Sequence, residues 1–226
     1  MVLAPSDQET RMRIGILGTG MVGQTLGTKL ASLGHDVVLG SREPDNAKAR
    51  AWVERTGGTA RCGDFAAAAS YGDVLFNCTM GTASIEALTR AKAENLVGKV
   101  IVDVSNPLDF DNGMPPTLFV SNTDSLAERL QRAFPAARFV KALNTMNANI
   151  MVDPMKLANG EHAVFVSAND HDAKEVVRGL LASFGWKHIV DLGDLSTARG
   201  TEQLLPLWIR LWGALQTSDF NFAIAR

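Results

Sequence analysis

The chain has 226 residues, 46% of them hydrophobic and 20% charged, with a formal net charge of −2. That length can bury a substantial core, in one large domain or in one domain with a smaller companion. The charge balance offers no footprint for nucleic acid or an anionic membrane, and no apolar run is long enough for a spanning helix.

Residues 1–12, "MVLAPSDQETRM", are polar, mixed in charge and without the apolar stretch of a signal peptide, so they read as an N-terminal extension. Cys62 and Cys78 show no metal-ligand spacing and no export signal accompanies them, which predicts free thiols and a cytoplasmic location. "RIGIL" predicts a first strand, and "MVGQTLGTKLASLG" a helix closing on Gly34. "HDVVLG" follows as a second strand, 43–58 as a helix ending at Gly57, and "GTARCG" as a short third strand. "DFAAAASYG" is a short helix capped by Asp64. "DVLFNCT" is a strand, 82–98 a helix, and "KVIVDVSN" a strand with a β-branched core. An irregular loop over 107–122 leads to the helix "TDSLAERLQRAF", capped by Thr123 or Asp124, and to the strand "ARFVKAL".

Strands alternating with helices predict an α/β fold, a doubly wound parallel Rossmann sheet over 13–146. Residues 147–226 form a smaller C-terminal region that passes from α/β to helical. Its predicted elements are "HAVFVSA", the helix "HDAKEVVRGLLASFG", "WKHIVDL", and helical stretches at Leu195–Leu204 and Leu207–Gln216. The tail "DFNFAIAR" alternates apolar and polar residues, which predicts an extended segment packed on apolar surface.

Gly18-Thr19-Gly20-Met21-Val22-Gly23 is a G-x-G-x-x-G that follows a strand and opens a helix at the head of a βαβ unit. Gly18 permits the tight turn, Gly20 lets a pyrophosphate approach the backbone, and Gly23 lets helix and strand pack closely. A carboxylate for the ribose 2′-hydroxyl is expected about twenty residues on. Asp36 comes too early and Glu43 too late; the position holds Ser41 and Arg42. An arginine attracts the 2′-phosphate that a carboxylate would repel, and Ser41 can add a hydrogen bond. The cofactor read from these residues is NADP(H).

Ligands of open parallel sheets bind beyond the carboxyl ends of the strands. The other ends are Cys78-Thr79-Met80-Gly81, Ser105-Asn106-Pro107 and Asn144-Thr145-Met146-Asn147. Methionine makes a polarisable wall for a flat ring, and Asn106 and Asn144 suit a carboxamide or a ring carbonyl. No proton relay accompanies them. Tyr71, the only tyrosine, lacks a lysine four residues on, and His35, His162, His171 and His188 avoid the strand ends and read as surface or edge residues. Lys141 is within reach, on a strand that could face either side. No nucleophile elbow or metal cluster stands out, and no catalytic residue is assigned. Hydride machinery without a dedicated acid favours an electron-poor acceptor such as a flavin or deazaflavin ring.

"RIGILGTGMVGQTLGTKLASLGHDVVLGSR", "VKALNTM", "DLGDLSTARGTE" and the terminal "FNFAI" resemble the coenzyme F-420-dependent NADP oxidoreductases, over nearly the whole chain. The NADPH domain of the STEAP metalloreductases is similar through the glycine turn and "KALNT". The resemblance implies hydride transfer between NADPH and a deazaflavin, in a homodimer. It places the pyrophosphate at Thr19, Gly20, Met21 and Val22, and the 2′-phosphate at Ser41 and Arg42. The nicotinamide surroundings fall on Thr79, Met80, Asn106, Pro107, Asn144 and Thr145. "CTMGT" departs from the apolar, proline-containing stretch of the best-known members, in a region that shapes the acceptor pocket. Trp208 and Trp212, one helical turn apart in an apolar stretch, suit either a core or a subunit interface. Two other readings stand beside the deazaflavin one: an NADPH-dependent reductase of a quinone or imine, with its proton from water or Lys141, and a nonenzymatic NADP(H)-sensing module.

Overall fold

The structure is a computed structural model that describes residues 11–225; residues 1–10 of the expected extension, and Arg226, lie outside the described residues. The first half runs β1 (Arg13–Leu17), α1 (Met21–Ser32), β2 (Asp36–Ser41), α2 (Ala47–Thr56), β3 (Arg61–Asp64), α3 (Phe65–Tyr71), β4 (Val74–Asn77), α4 (Ser84–Arg90) and β5 (Val100–Asp103). A small hairpin, β6 (Leu108–Asp109) with β7 (Thr117–Leu118), precedes α5 (Leu126–Ala133) and β8 (Arg138–Ala142). The rest comprises α6 (Ala148–Val152), β9 (Ala163–Ala168), α7 (His171–Ser183), β10 (His188–Gly193), α8 (Ala198–Gln203) and α9 (Leu205–Leu215).

Eight strands form one sheet in the order β10-β9-β8-β5-β4-β1-β2-β3. From β1 the chain winds outward through β2 to β3, then returns to the other side of β1 and winds through β4 and β5 to β8. The reversal opens a crevice above β1 and β4, where such sheets bind ligands. Alternating side chains serve two cores. Ile14, Ile16, Leu39, Phe76 and Val102 join one cluster, and Leu17, Val38, Leu75, Ile101 and Phe139 the other. Burial on both faces explains why β4 and β5 read as continuous apolar runs.

The parallel sheet carries one exception: β9 runs antiparallel to β8, and β10 runs parallel to β9. The link after β8 holds only α6, of five residues, and short 3-10 turns. At about 1.5 Å per residue such a helix cannot carry the chain back across the sheet. The chain therefore re-enters from the end where it left. The boundary expected between 13–146 and 147–226 lies between β8 and α6, and strands from both sides of it share this one sheet.

Other expectations change in detail. The helix over 82–98 stops at Arg90, and Lys92 has φ 70°, which no helix interior accepts. The loop over 107–122 contains the β6–β7 hairpin. The cap of α5 is Ser125, whose hydroxyl accepts from the Glu128 amide at 3.1 Å, and not Thr123 or Asp124. Asp124 instead accepts from Arg132 at 2.8 Å and Arg129 at 3.0 Å. Its partial burial works against the charge, yet the two guanidiniums outweigh it and bring the carboxyl down to about 2. Its folded value is thus depressed, so its stabilisation is present above pH ~4 and lost as the pH falls through about 2. Asp124→Asn should lower the melting temperature at pH 7 and bring the variant level with wild type below pH 2 in a pH series of thermal melts.

His35 and His162 are buried rather than at the surface. His35 Nδ1 accepts from the Met12 amide at 3.2 Å. His162 Nε2 donates to the Pro154 carbonyl at 2.9 Å, and its ring meets Trp186 edge-on. The tail reaches the start of β9: the Ala163 amide donates to the Phe222 carbonyl at 2.9 Å, and Phe220 packs on Trp208. Among the described residues no helix is long and apolar enough to cross a membrane.

Candidate functional site

The turn between β1 and α1 separates what the fold needs from what a ligand needs. Gly18 has φ +122°, and a Cβ there would lie 2.7 Å from the Cys78 carbonyl oxygen. At Gly23 a Cβ would lie 2.1 Å from the Gly18 oxygen. Both glycines are demanded by the chain's own packing. At Gly20 the backbone is extended and nothing lies within 4 Å of a Cβ. Gly20 is the N-cap of α1, no side chain caps that end, and no acidic residue occupies the first turn. The leading N–H groups of a helix have no intrahelical acceptor, and they carry the positive end of its dipole. Gln24 braces the turn by donating to the Thr19 carbonyl at 2.9 Å. The result is an open anion cradle over Thr19–Gly23, of the kind that holds a pyrophosphate. Gly20→Ala should leave the melting temperature within about 2 °C of wild type. The same variant should weaken NADPH at least tenfold in calorimetric titration, because the added methyl fills the space the cradle keeps open.

At the end of β2, Arg42 is exposed, and among the described residues no carboxylate pairs with its guanidinium. Ser41 is buried and its hydroxyl donates to the Glu43 carbonyl, so the proton expected to serve a phosphate is already engaged.

At the other end of the crevice lies a cleft of about 180 Å³, walled by Val22, Met80, Leu108 and Phe110 and floored by Cys78, Thr79, Ser105 and Asn106. A buried network fixes the floor. Asn77 Nδ2 donates to Asp103 Oδ1 at 2.9 Å, which leaves Asn77 Oδ1 to accept from the Thr79 hydroxyl at 2.7 Å. The Ser105 hydroxyl donates to Asp103 Oδ1 at 2.6 Å. With these protons turned inward, Thr79 and Ser105 offer lone pairs to the cleft, suited to the N–H groups of a carboxamide. Burial, and then the Asp103 carboxylate, push the Cys78 thiol far up, so it is a neutral and poor acid.

Beneath the floor Lys141 is 1% exposed and bonds Asp103 Oδ2 at 2.8 Å, the Ser105 carbonyl at 2.5 Å and Glu202 Oε1 at 2.9 Å. Burial pulls its pKa down, but Asp103 and Glu202 outweigh that and raise it. The ammonium is therefore a fixed charge, closed off from the cleft, and does not supply a proton to it. Glu202 also accepts from the Leu126 and Ala127 amides at 2.7 and 3.1 Å, which ties α8 to the start of α5.

Of the residues singled out in the sequence, Val22, Thr79, Met80 and Asn106 meet at the cleft beside the glycine turn. Asn144 lies behind it: Asn106 Nδ2 donates to the Asn144 carbonyl, and Asn144 Nδ2 to Asn106 Oδ1, each at 2.9 Å. Asn144 Nδ2 also donates to Thr201 at 3.1 Å, so its amide faces protein and not the cleft. The preceding Leu143 has φ 65°, a costly backbone for a branched side chain, at the strand end that delivers Asn144. Pro107 and Thr145 are buried and do not line the cleft. At Gly81, named in the sequence only as part of a strand end, a Cβ would lie 2.0 Å from the Asn106 oxygen; what sequence reasoning missed is the pairing of Lys141 with Asp103 and Glu202. The triad left a signal: "VIVDV" and "RFVKAL" each place one charge in an apolar strand, and Asp103 and Lys141 pair in register.

The family model for NADP oxidoreductase, coenzyme F420-dependent, matches residues 13–107. A provisionally assigned F420-dependent NADP reductase from Arthrobacter sp. FB24, a solved structure, is 53% identical with a TM-score of 0.92, covering 95% of this chain and 100% of that one. The F420-dependent NADP reductase of Methanothermobacter marburgensis is 29% identical over 210 residues, 88% of this chain and 92% of that protein. The metalloreductase STEAP3 of Rattus norvegicus is 31% identical over 207 residues, 87% of this chain, and the match spans only 38% of that longer protein. The cradle, the unpaired Arg42 and these matches lead to one conclusion: the chain belongs to the coenzyme F420-dependent NADP oxidoreductase family and is an NADP-dependent oxidoreductase.

Proposed function

We propose that this protein transfers a hydride between NADP(H) and the deazaflavin coenzyme F-420. The observation that carries the acceptor half is chemical. Among the described residues lining the cleft, Thr79 and Ser105 have their protons turned inward and Cys78 is a poor acid. A carbonyl acceptor requires a proton donor at the reacting oxygen. An electron-poor ring takes the hydride without one. The apolar walls from Val22, Met80, Leu108 and Phe110 suit flat rings stacked face to face, where proximity lowers the barrier.

In this reading the α1 N-terminus and Gly18–Gly23 would hold the pyrophosphate, and Arg42 would take the 2′-phosphate from a turn that the Ser41 hydroxyl braces. Thr79 and Ser105 accept from the carboxamide, Met80 packs on the nicotinamide, and Asn106, Pro107, Asn144 and Thr145 form the supporting turns. When bound, the nicotinamide supplies the hydride; the protein orients the rings and excludes water. We also propose a cytoplasmic homodimer. Support for the pairing comes from the exposed apolar side chains Leu207, Trp212 and Leu215 on α9, and for the location from the two free thiols. A panel of F-420, FMN and a quinone, each mixed with protein and NADPH, tests the acceptor through NADPH absorbance. Oxidation with F-420 alone is expected; equal or faster oxidation with FMN or the quinone would contradict the proposal.

A further inference from the structure

We propose that Arg90 is a positioning residue for cofactor selectivity: it holds the Arg42 turn and screens Glu43 from a bound 2′-phosphate. The inference rests on the reading of Arg42 as the 2′-phosphate residue. Arg90 closes α4, 48 positions along the chain from Arg42, and its Nη2 donates to the Arg42 carbonyl at 3.0 Å. The same nitrogen lies 3.9 Å from Glu43 Oε1, and Nη1 lies 3.4 Å from Glu86 Oε1.

The turn needs such a tether. Arg42, Glu43, Pro44 and Asp45 are all exposed and belong to neither a strand nor a helix. Pro44 has no N–H to give. The Ser41 hydroxyl on the Glu43 carbonyl, the Arg50–Asp45 pair and Arg90 hold this segment. A side chain that must meet a dianion gains most when its backbone is already fixed, since less ordering remains to be done on binding.

The turn also has an electrostatic flaw. Glu43 follows Arg42 directly, and a free carboxylate beside a 2′-phosphate repels it. Arg90 is placed to offset that charge, while the bond to the Arg42 carbonyl leaves the Arg42 guanidinium outside the pair. Cofactors without the 2′-phosphate meet neither effect. Arg90 therefore acts on NADPH and is indifferent to NADH, although it follows a different strand from the one that carries Arg42.

The test is calorimetric binding of NADPH and NADH to four variants whose folding is checked by melting temperature. Arg90→Met should weaken NADPH about tenfold and change NADH less than about twofold, on the scale of one charge-assisted hydrogen bond and one exposed pair. Glu43→Gln added to Arg90→Met should recover at least about half of the lost NADPH free energy. Arg90→Lys, which keeps the charge but loses the fork, should fall between wild type and Arg90→Met. Arg42→Met is the control for the underlying reading. If it weakens both cofactors equally, that reading fails and this inference with it. If Arg42→Met is selective but Arg90→Met is neutral, or weakens both cofactors alike, the role assigned to Arg90 is wrong and the reading of Arg42 stands.

Discussion

Arg42→Glu is expected to weaken NADPH binding by on the order of a hundredfold while leaving NADH within about threefold. The exposed Arg42 guanidinium has no carboxylate partner among the described residues, so little internal structure is lost when it goes. The substitution removes a charge-assisted contact and puts a carboxylate in its place, next to Glu43. With NADH that carboxylate is well placed for a ribose hydroxyl, as in sites that prefer NAD. Titration of both cofactors into wild type and variant reads the result directly. Equal losses for the two would remove the 2′-phosphate from this end of the crevice.

Lys141→Met should be the most damaging of the single changes. The methionine fits the volume, but Asp103 and Glu202 are then left facing each other with no cation, both almost wholly buried. Breaking a buried pair in this way costs about 3–5 kcal/mol, which for a chain of this size lowers the melting temperature by roughly 6–20 °C. Its sign with pH follows from the raised Lys141 value. The stabilisation is complete below the unfolded lysine value of about 10.4 and disappears as the pH rises through the higher folded value. On the lysine's account the gap between wild type and variant should therefore narrow only in strong alkali. Making all three positions neutral, with Asp103→Asn and Glu202→Gln added to Lys141→Met, should recover part of the loss, because no uncompensated charge then remains. A triple variant less stable than Lys141→Met would show that the triad is not a mutual compensation of charges.

Local rules made much of this molecule readable. A strand, three spaced glycines and an uncapped helix are contiguous, so the cradle at Gly18–Gly23 could be read before any tertiary contact was known. The position of Arg42, exposed just past the end of β2, was readable for the same reason, since its distance from the turn is set by one βαβ unit. Features that depend on distant pairing were not. Glu202 meets Lys141 only after α8 folds back on the β8 end, although both lie in segments that carry the family resemblance. Asn144 looked like a ligand residue because strand ends bind ligands, yet tertiary packing turned its amide onto Asn106 and Thr201. The direction of β9 was hidden because its apolar pattern is the same in either orientation. Its sense depends on the short link that precedes it.

Isotopic label reports hydride transfer between the two ring systems. NADPH carrying deuterium on one face of the nicotinamide C4 would be mixed with the protein and oxidised F-420 in ordinary water, and the reduced deazaflavin analysed by mass. Repeating this with the opposite face labelled covers both stereochemical cases. Label should pass to the deazaflavin from one face, nearly complete, within a single turnover. Loss of label to solvent from both faces, or no reduction of F-420 at all, would contradict direct transfer.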